Sequence, residues 1–268
     1  RPLIEELFGY CLIPAYPIQK AFLLIGSGAN GKSTMLELLK TFLGKDNISN
    51  IPWHALETHR FATSNLAGKL ANIYADLPSK SLAFTTAFKM LTGGDTLSAE
   101  KKFRNPFSFV NTAKLIFSAN RPPEVYDDDS YAFWRRWILI NFPNEFPEGD
   151  VKTDPDILAK LTTPEELSGL LNLALDGLDR VLRNHKFSYD KSVEETTEIY
   201  LKAADCIYAF ITDRCELDPE AETPKEEVFQ AFKRYCAENG LPLLARNTFA
   251  RRFQNHPCLL YTSPSPRD

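Results

Sequence analysis

Gly26-Ser27-Gly28-Ala29-Asn30-Gly31-Lys32-Ser33-Thr34 is the stretch of this chain whose residue types and spacing could do chemistry unaided. It fits G-x-x-x-x-G-K-[ST], a glycine-rich turn that aims several backbone N–H groups at one polyphosphate. Gly26, Gly28 and Gly31 keep side chains out of the curl, and a helix opening here adds the partial positive charge of its N-terminus. Lys32 then reaches the β- and γ-phosphates, and the Ser33 hydroxyl ligates Mg2+. The bare pattern arises by chance in on the order of one chain in a hundred of this length. Its flanks therefore carry the assignment: Ala21-Phe22-Leu23-Leu24-Ile25 reads as a strand, and residues 35–42 have helical periodicity. ATP and Mg2+ are the cofactors predicted.

Other reactive groups follow apolar runs. Asp76 ends the run 69–76, where a carboxylate at the end of a strand sits beside a metal; taken without context, a lone acid there is more often a turn cap. Asn120 ends the run 113–120, placed to hold a water that attacks the γ-phosphate, or simply to open an Asn-x-Pro-Pro turn. Arg135 and Arg136 lead into an apolar strand at 137–142. They read as surface ion-pair partners or as the finger that neutralises transition-state charge in a phosphate-loop ATPase. Between the Asp76 and Asn120 runs, residues 89–104 hold a Gly93-Gly94 turn, and Lys101, Lys102, Phe103 and Arg104 crowd its tip. Cations interleaved with an aromatic suit single-stranded nucleic acid, and a solvated hairpin is the competing explanation.

These residues need a sheet to position them. With 268 residues, 44% hydrophobic, the chain buries a full core and leaves room for one large domain and a small one. No apolar run approaches the ~18 residues of a membrane span, so a soluble, intracellular protein is expected. Its five cysteines and four histidines show no metal-type pairing. A net charge of −4 confines any DNA contact to patches.

Towards the C-terminus two capping boxes appear. Thr163-Pro164-Glu165-Glu166 opens a helix whose apolar side is predicted to bury Leu167, Leu170, Leu171, Ala174, Leu175, Leu178 and Leu182. Residues 193–214 read as a second helical stretch. Thr223-Pro224-Lys225-Glu226 opens a third helix, which a break at Asn239-Gly240 separates from a shorter cationic one carrying Arg246, Arg251 and Arg252. Residues 258–268 match the translation of a sequencing-library adapter and are set aside as non-native. Residues 1–10 read as part of an amphipathic helix without an initiator Met, so an upstream portion is expected.

In this order the parts resemble the superfamily 3 helicases, and more narrowly the helicase portion of phage and plasmid primase-helicases related to the poxvirus and satellite-phage enzymes. The resemblance runs from about Leu3 to His256. Residues 26–34 match motif A, residues 72–76 motif B, residues 89–102 motif B′ with its Thr92-Gly93-Gly94-Asp95 core, residues 117–123 motif C and residues 133–137 the arginine-finger segment. One departure is that Asp76 is followed by Leu77, where many relatives carry a second acid. The resemblance implies an AAA+-type α/β core that assembles as a ring, commonly a hexamer, with ATP between neighbours. It also implies single-stranded DNA in the channel, gripped by the motif B′ hairpin, with 3′ to 5′ tracking and unwinding of forked DNA. The expected layout is an N-terminal helical segment (1–20), a P-loop core (21–150), a helical lid and connector (151–215) and an incomplete winged-helix-like module (216–257). Two other functions are weighed: a DNA-packaging or remodelling ATPase, and a replication-origin binding module assembled by ATP.

Overall fold

Five consecutive apolar residues without polar alternation make a strand only where both faces are covered, and Ala21–Ile25 (β1) is buried throughout. The computed structural model describes residues 1–79, 82, 84–125, 130–147, 149–150, 153–218, 222–256 and 259. Besides β1, its strands are β2 (Ile48–Ser49), β3 (Ala71–Tyr74), β4 (Thr96–Ala99), β5 (Phe107–Val110), β6 (Lys114–Ala119) and β7 (Trp137–Asn141). A parallel sheet runs β2-β3-β6-β1-β7, and β4 and β5 form a separate antiparallel hairpin. The protein is thus a mixed α/β fold on a parallel sheet.

Around the sheet lie α1 (Pro2–Tyr10), α2 (Lys32–Leu43), α3 (Trp53–Thr58), α4 (Thr86–Gly93), α5 (Tyr131–Trp134), α6 (Ile157–Leu161) and α7 (Pro164–Asn184). Side chains alternate across the strands, so the register decides which layer each residue joins. Phe22 lies level with Ile116 and Ile138, and all three pack with Leu7, Leu36, Leu39 and Val181 of α1, α2 and α7. Leu23 lies level with Phe117, which stacks on Trp53 of α3 on the other face. There Phe88 of α4 stacks on Trp137 at 4.6 Å between centroids, and Trp53 lies 5.2 Å from Trp137. This aromatic layer seats α4, from which the hairpin leaves.

Thr163 caps α7 as predicted, its side chain accepting from the Glu166 N–H at 3.3 Å, which is one of the two bonds of a capping box. The stripe predicted on α7 is only partly buried. Ala174, Gly177 and Val181 face α1, where a Cβ on Gly177 would lie 2.5 Å from the Glu5 carbonyl, whereas Leu171, Leu175 and Leu182 are exposed. One neighbouring helix covers one line of an α-helix, and the leucines about 100° round from that line are left outside. At the same crossing the buried Glu6 carboxylate accepts from Arg180 Nε at 2.6 Å, the Ser188 N–H at 2.7 Å and Ser188 Oγ at 2.6 Å.

The chain divides into two units, Arg1–Thr197 and Glu198–Asp268. The boundary falls within α8 (Val193–Ala204). The stretch 193–214 is two helices, because Asp205 breaks it: its side chain accepts from the Ile207 N–H at 2.8 Å and caps α9 (Cys206–Arg214). In the second unit α9 packs with α10 (Lys225–Glu238) and α11 (Arg246–Gln254) around Ile207, Phe210, Phe232 and Phe249. Here the capping box does not form; Pro224 stands at the cap and the helix starts one residue later than predicted. The adapter-like residues lie, Leu259 apart, outside the described residues. Among the described residues no helix is long and apolar enough to cross a membrane.

Candidate nucleotide-binding site

Parallel pairing brings the carboxyl ends of β1, β3, β6 and β7 to one edge of the sheet. Ile25 is level with Ala119 and Asn141, and Tyr74 with Phe117, so the residues that follow these strands gather beside residues 26–34. The loop curls back through Ala29 at φ +52° and Gly31 at φ +84°, and α2 then starts at Lys32. A Cβ on Gly26 would collide with Asn30 Nδ2 and lie 2.5 Å from Phe142 O, so only glycine fits there. A Cβ on Gly28 would meet nothing within 4 Å, which leaves the concave side of the loop open.

Lys32 is 4% exposed and its ammonium folds back into this loop. It donates to Gly26 O and Ser27 O at 2.7 Å each, to Asn30 Oδ1 at 3.0 Å and to Asn120 Oδ1 at 3.2 Å. Burial lowers its pKa, and the Asp76 carboxylate acts in the opposite sense. Asp76 is exposed and has a left-handed backbone, φ +54°, with its N–H donating to Ser118 Oγ at 3.2 Å. Lys32, Asn120 and Asp76 are thus brought together, and Ser33 lies exposed at the same helix start.

The residues present fit a nucleoside triphosphate with Mg2+. An open loop of backbone N–H groups, a helix N-terminus and a lysine held by exchangeable carbonyl contacts suit phosphate. One hydroxyl and one carboxylate suffice for Mg2+, which keeps waters and phosphate oxygens as its other ligands. Beside the loop an apolar cavity of about 590 Å³ is lined by Phe8, Ala29, Thr34, Met35, Leu38 and Ile157, among others.

Sequence reasoning missed the segment after β7 that braces the loop. The Phe146 N–H donates to Ala29 O at 2.6 Å, Asn30 Nδ2 donates to Phe142 O at 3.3 Å, and Ser27 Oγ donates to Glu145 Oε1 at 2.6 Å. Glu145 lies 118 residues from Ser27, and no local spacing announces that contact.

The arginines occupy the other edge of the sheet. Ala21 opens β1 by donating its N–H to Arg136 O, so the two arginines stand a whole strand, about 16 Å at ~3.3 Å per residue, from the glycine-rich loop 26–34. Arg136 is 8% exposed and its guanidinium turns inward to Ala132 O. Arg135 is half-buried and reaches an open recess shared with Lys20, Tyr131 and Asp190.

The hairpin carries its cations outward. Lys101, Lys102 and Arg104 are exposed, Phe103 is 92% exposed, and Lys102 Nζ lies 5.0 Å from the Phe103 ring. The helix that leads into the hairpin, α4, is capped at its start by the Glu57 carboxylate, which accepts the Ala87 and Phe88 N–H groups at 2.9 and 2.8 Å; burial raises the Glu57 pKa. In the second unit Arg246 pairs with Glu226 and Arg252 with Asp205, while Arg251 is exposed.

Residues 24–136 match a family of unknown function, DUF5906, and residues 202–257 match the poxvirus D5 protein-like family. A protein of Acanthamoeba polyphaga mimivirus provisionally named as a helicase is 31% identical over 235 residues, covering 80% of this chain and 24% of that protein. A protein of African swine fever virus provisionally named as a primase is 22% identical over 220 residues, covering 75% of this chain and 23% of its own. The chain therefore spans about a quarter of the length of these curated relatives. The apo C-terminal region of NrS-1 superposes with a TM-score of 0.55 at 15% identity, covering 94% of this chain and 57% of that one, and shows a shared fold. The poxvirus D5-like match and the viral helicase and primase relatives together support a primase-helicase family of superfamily 3 type for this chain.

Proposed function

We propose that this chain is the ATP-driven motor of a replication helicase that works as a ring of identical subunits, commonly six, on single-stranded and forked DNA. The observation that carries the reading is that Lys32, Asn120 and Asp76 meet at one sheet edge while Arg135 stands at the opposite edge. An arginine a strand's length from its own phosphate loop serves a site on the next subunit, and a ring supplies that neighbour.

ATP with Mg2+ supplies the phosphoanhydride bond whose hydrolysis drives movement. The backbone of residues 26–34 cradles the phosphates, and the Lys32 ammonium leaves Gly26 O and Ser27 O to neutralise them. Ser33 and Asp76 hold the metal, Asn120 orients the attacking water, and Arg135 of one protomer completes the site of its neighbour. The apolar cavity beside Met35 takes the base, under the lid formed by α6 and α7. This is an AAA+-type division of labour. Lys101, Lys102, Phe103 and Arg104 grip the strand, the cations by phosphate and the ring by stacking. The second unit acts as a winged-helix-like module with Arg251 as its outward cation. The relatives' helicase and primase names support a role in replication, and the reading places it in the cytoplasm with a primase domain elsewhere in the polypeptide.

The test is ATP hydrolysis with and without single-stranded DNA, followed by strand separation on a forked duplex. DNA-stimulated hydrolysis with separation is expected. Hydrolysis without separation points to a packaging or remodelling ATPase, and DNA binding that needs ATP but not its hydrolysis points to an origin-binding module; either result replaces this reading.

A further inference from the structure

Gln19 joins two parts of the first unit that a helicase must move together. Its Nε2 donates to Gly93 O at 3.0 Å, and its Oε1 accepts from Arg135 Nη2. Gly93 ends α4, Gly94 turns the chain at φ +82°, and β4 of the hairpin begins at Thr96. The amide therefore stands between the arginine at the sheet edge and the foot of the DNA hairpin. The adjoining arginine meets the same turn, since a Cβ on Gly93 would lie 2.8 Å from Asp95 Oδ2 and 3.8 Å from Arg136 Nη2.

A guanidinium only donates and a carbonyl only accepts, so a group joining them must do both at once, and among uncharged side chains a primary amide does so with two separate atoms. From this geometry we infer that Gln19 is a positioning residue that couples the nucleotide state of the neighbouring subunit to the pose of the hairpin. The inference rests on the reading of Arg135 as the residue delivered to that neighbour. When Arg135 turns to a phosphate across the boundary, Gln19 Oε1 loses its partner and the amide is free to reorient, which alters its hold on Gly93 O. The hairpin foot thus has different contacts in the two nucleotide states, which is what coupling requires.

Gln19→Glu tests this in the full chain, because it keeps the side-chain length and the acceptor for Arg135 but cannot donate to Gly93 O at neutral pH. Gln19→Met keeps the bulk and removes both bonds. Hydrolysis is measured against a titration of oligodeoxythymidylate, alongside thermal melting. For Gln19→Glu the half-saturating oligonucleotide concentration and the melting temperature hold, while maximal stimulation over basal hydrolysis falls by at least about fivefold. Gln19→Met loses stimulation to the same degree or more. Full stimulation in Gln19→Glu overturns the inference, as does a loss that appears only together with weaker oligonucleotide binding and a lower melting temperature. If the unaltered protein is not stimulated by the oligonucleotide, the helicase reading itself fails; stimulation of the unaltered protein and Gln19→Glu alike removes only the role of Gln19.

Discussion

Lys32 Nζ and Asn120 Oδ1 stand 3.2 Å apart although 88 residues separate them in the chain. Register alone produces this meeting, because β1 and β6 are adjacent and parallel and end level at Ile25 and Ala119. The loop after one strand and the amide after the other then face the same point. Lys32→Met is expected to abolish ATP hydrolysis, and Asn120→Ala to lower turnover by about 10²–10³, the range for loss of one aligned polar group in a catalytic site. Steady-state phosphate release measures both, and Asn120→Ala turning over at the unaltered rate would remove Asn120 from the mechanism.

Arg135 and Arg136 are neighbours with different surroundings, half-buried beside an open recess and 8% exposed within the fold. Arg135→Ala should be inactive on its own yet regain part of the activity when mixed with inactive Lys32→Met, since some interfaces then join an intact loop to an intact arginine. Arg136→Ala should instead lower stability by about 1–3 kcal/mol, the cost of disrupting a buried polar group. Mixing experiments read by phosphate release, and urea unfolding of each variant, separate the two roles.

The hairpin tip presents Lys101, Lys102 and Arg104 around an almost fully exposed Phe103. Each cation that neutralises a phosphate should contribute about 0.7 to the slope of log K against log salt for single strands. Lys101→Ala with Lys102→Ala is therefore expected to flatten that slope and remove DNA stimulation. Phe103→Ala should cost about 1–3 kcal/mol of binding with the slope unchanged. Fluorescence anisotropy at several salt concentrations checks both.

Gly177 allows α7 to lie against α1, with no room for a Cβ beside the Glu5 carbonyl. Gly177→Ala should destabilise the first unit by about 1–3 kcal/mol through overpacking, even though alanine favours a helix. A urea midpoint at or above that of the unaltered protein would show that the helices part without cost.

Lys114 is fully buried, with Nζ donating to Ile13 O and to Thr112 O at 3.1 Å, and burial pushes its pKa down to about 8. Below that pH the fold carries a buried ammonium that the unfolded chain holds at less cost. Above it the folded lysine is neutral while the unfolded one still binds a proton, so its contribution to stability rises with pH, by roughly 3 kcal/mol in full. Burial pushes the nearby Cys11 thiol up to about 12, which has the opposite effect at alkaline pH, because only the unfolded thiol then ionises. The difference between the unaltered protein and Lys114→Met isolates the lysine. It should move in favour of the unaltered protein from about pH 7 to about pH 10 by urea unfolding, and a flat difference would place the Lys114 pKa near its ordinary value.

The sequence by itself determined the elements whose information is local. The five apolar residues before Gly26, the glycines and Lys32 of the loop, and the cations about Phe103 each state their chemistry within a few positions, and Thr163 caps its helix where the sequence places it. Only the tertiary structure decided what depends on strand order. A two-residue edge strand, Ile48–Ser49, is too short to show a period, and it is held by Asn72, which accepts from Ser49 Oγ and the Ile51 N–H at 2.9 Å each. The leucines of α7 have the right spacing for burial, but α1 covers the line of Ala174, Gly177 and Val181. Ser27 meets Glu145, and Gln19 meets both Gly93 and Arg135, across 118, 74 and 116 residues. Periodicity records which side of an element is apolar, whereas only the packed sheet determines which element that side will face.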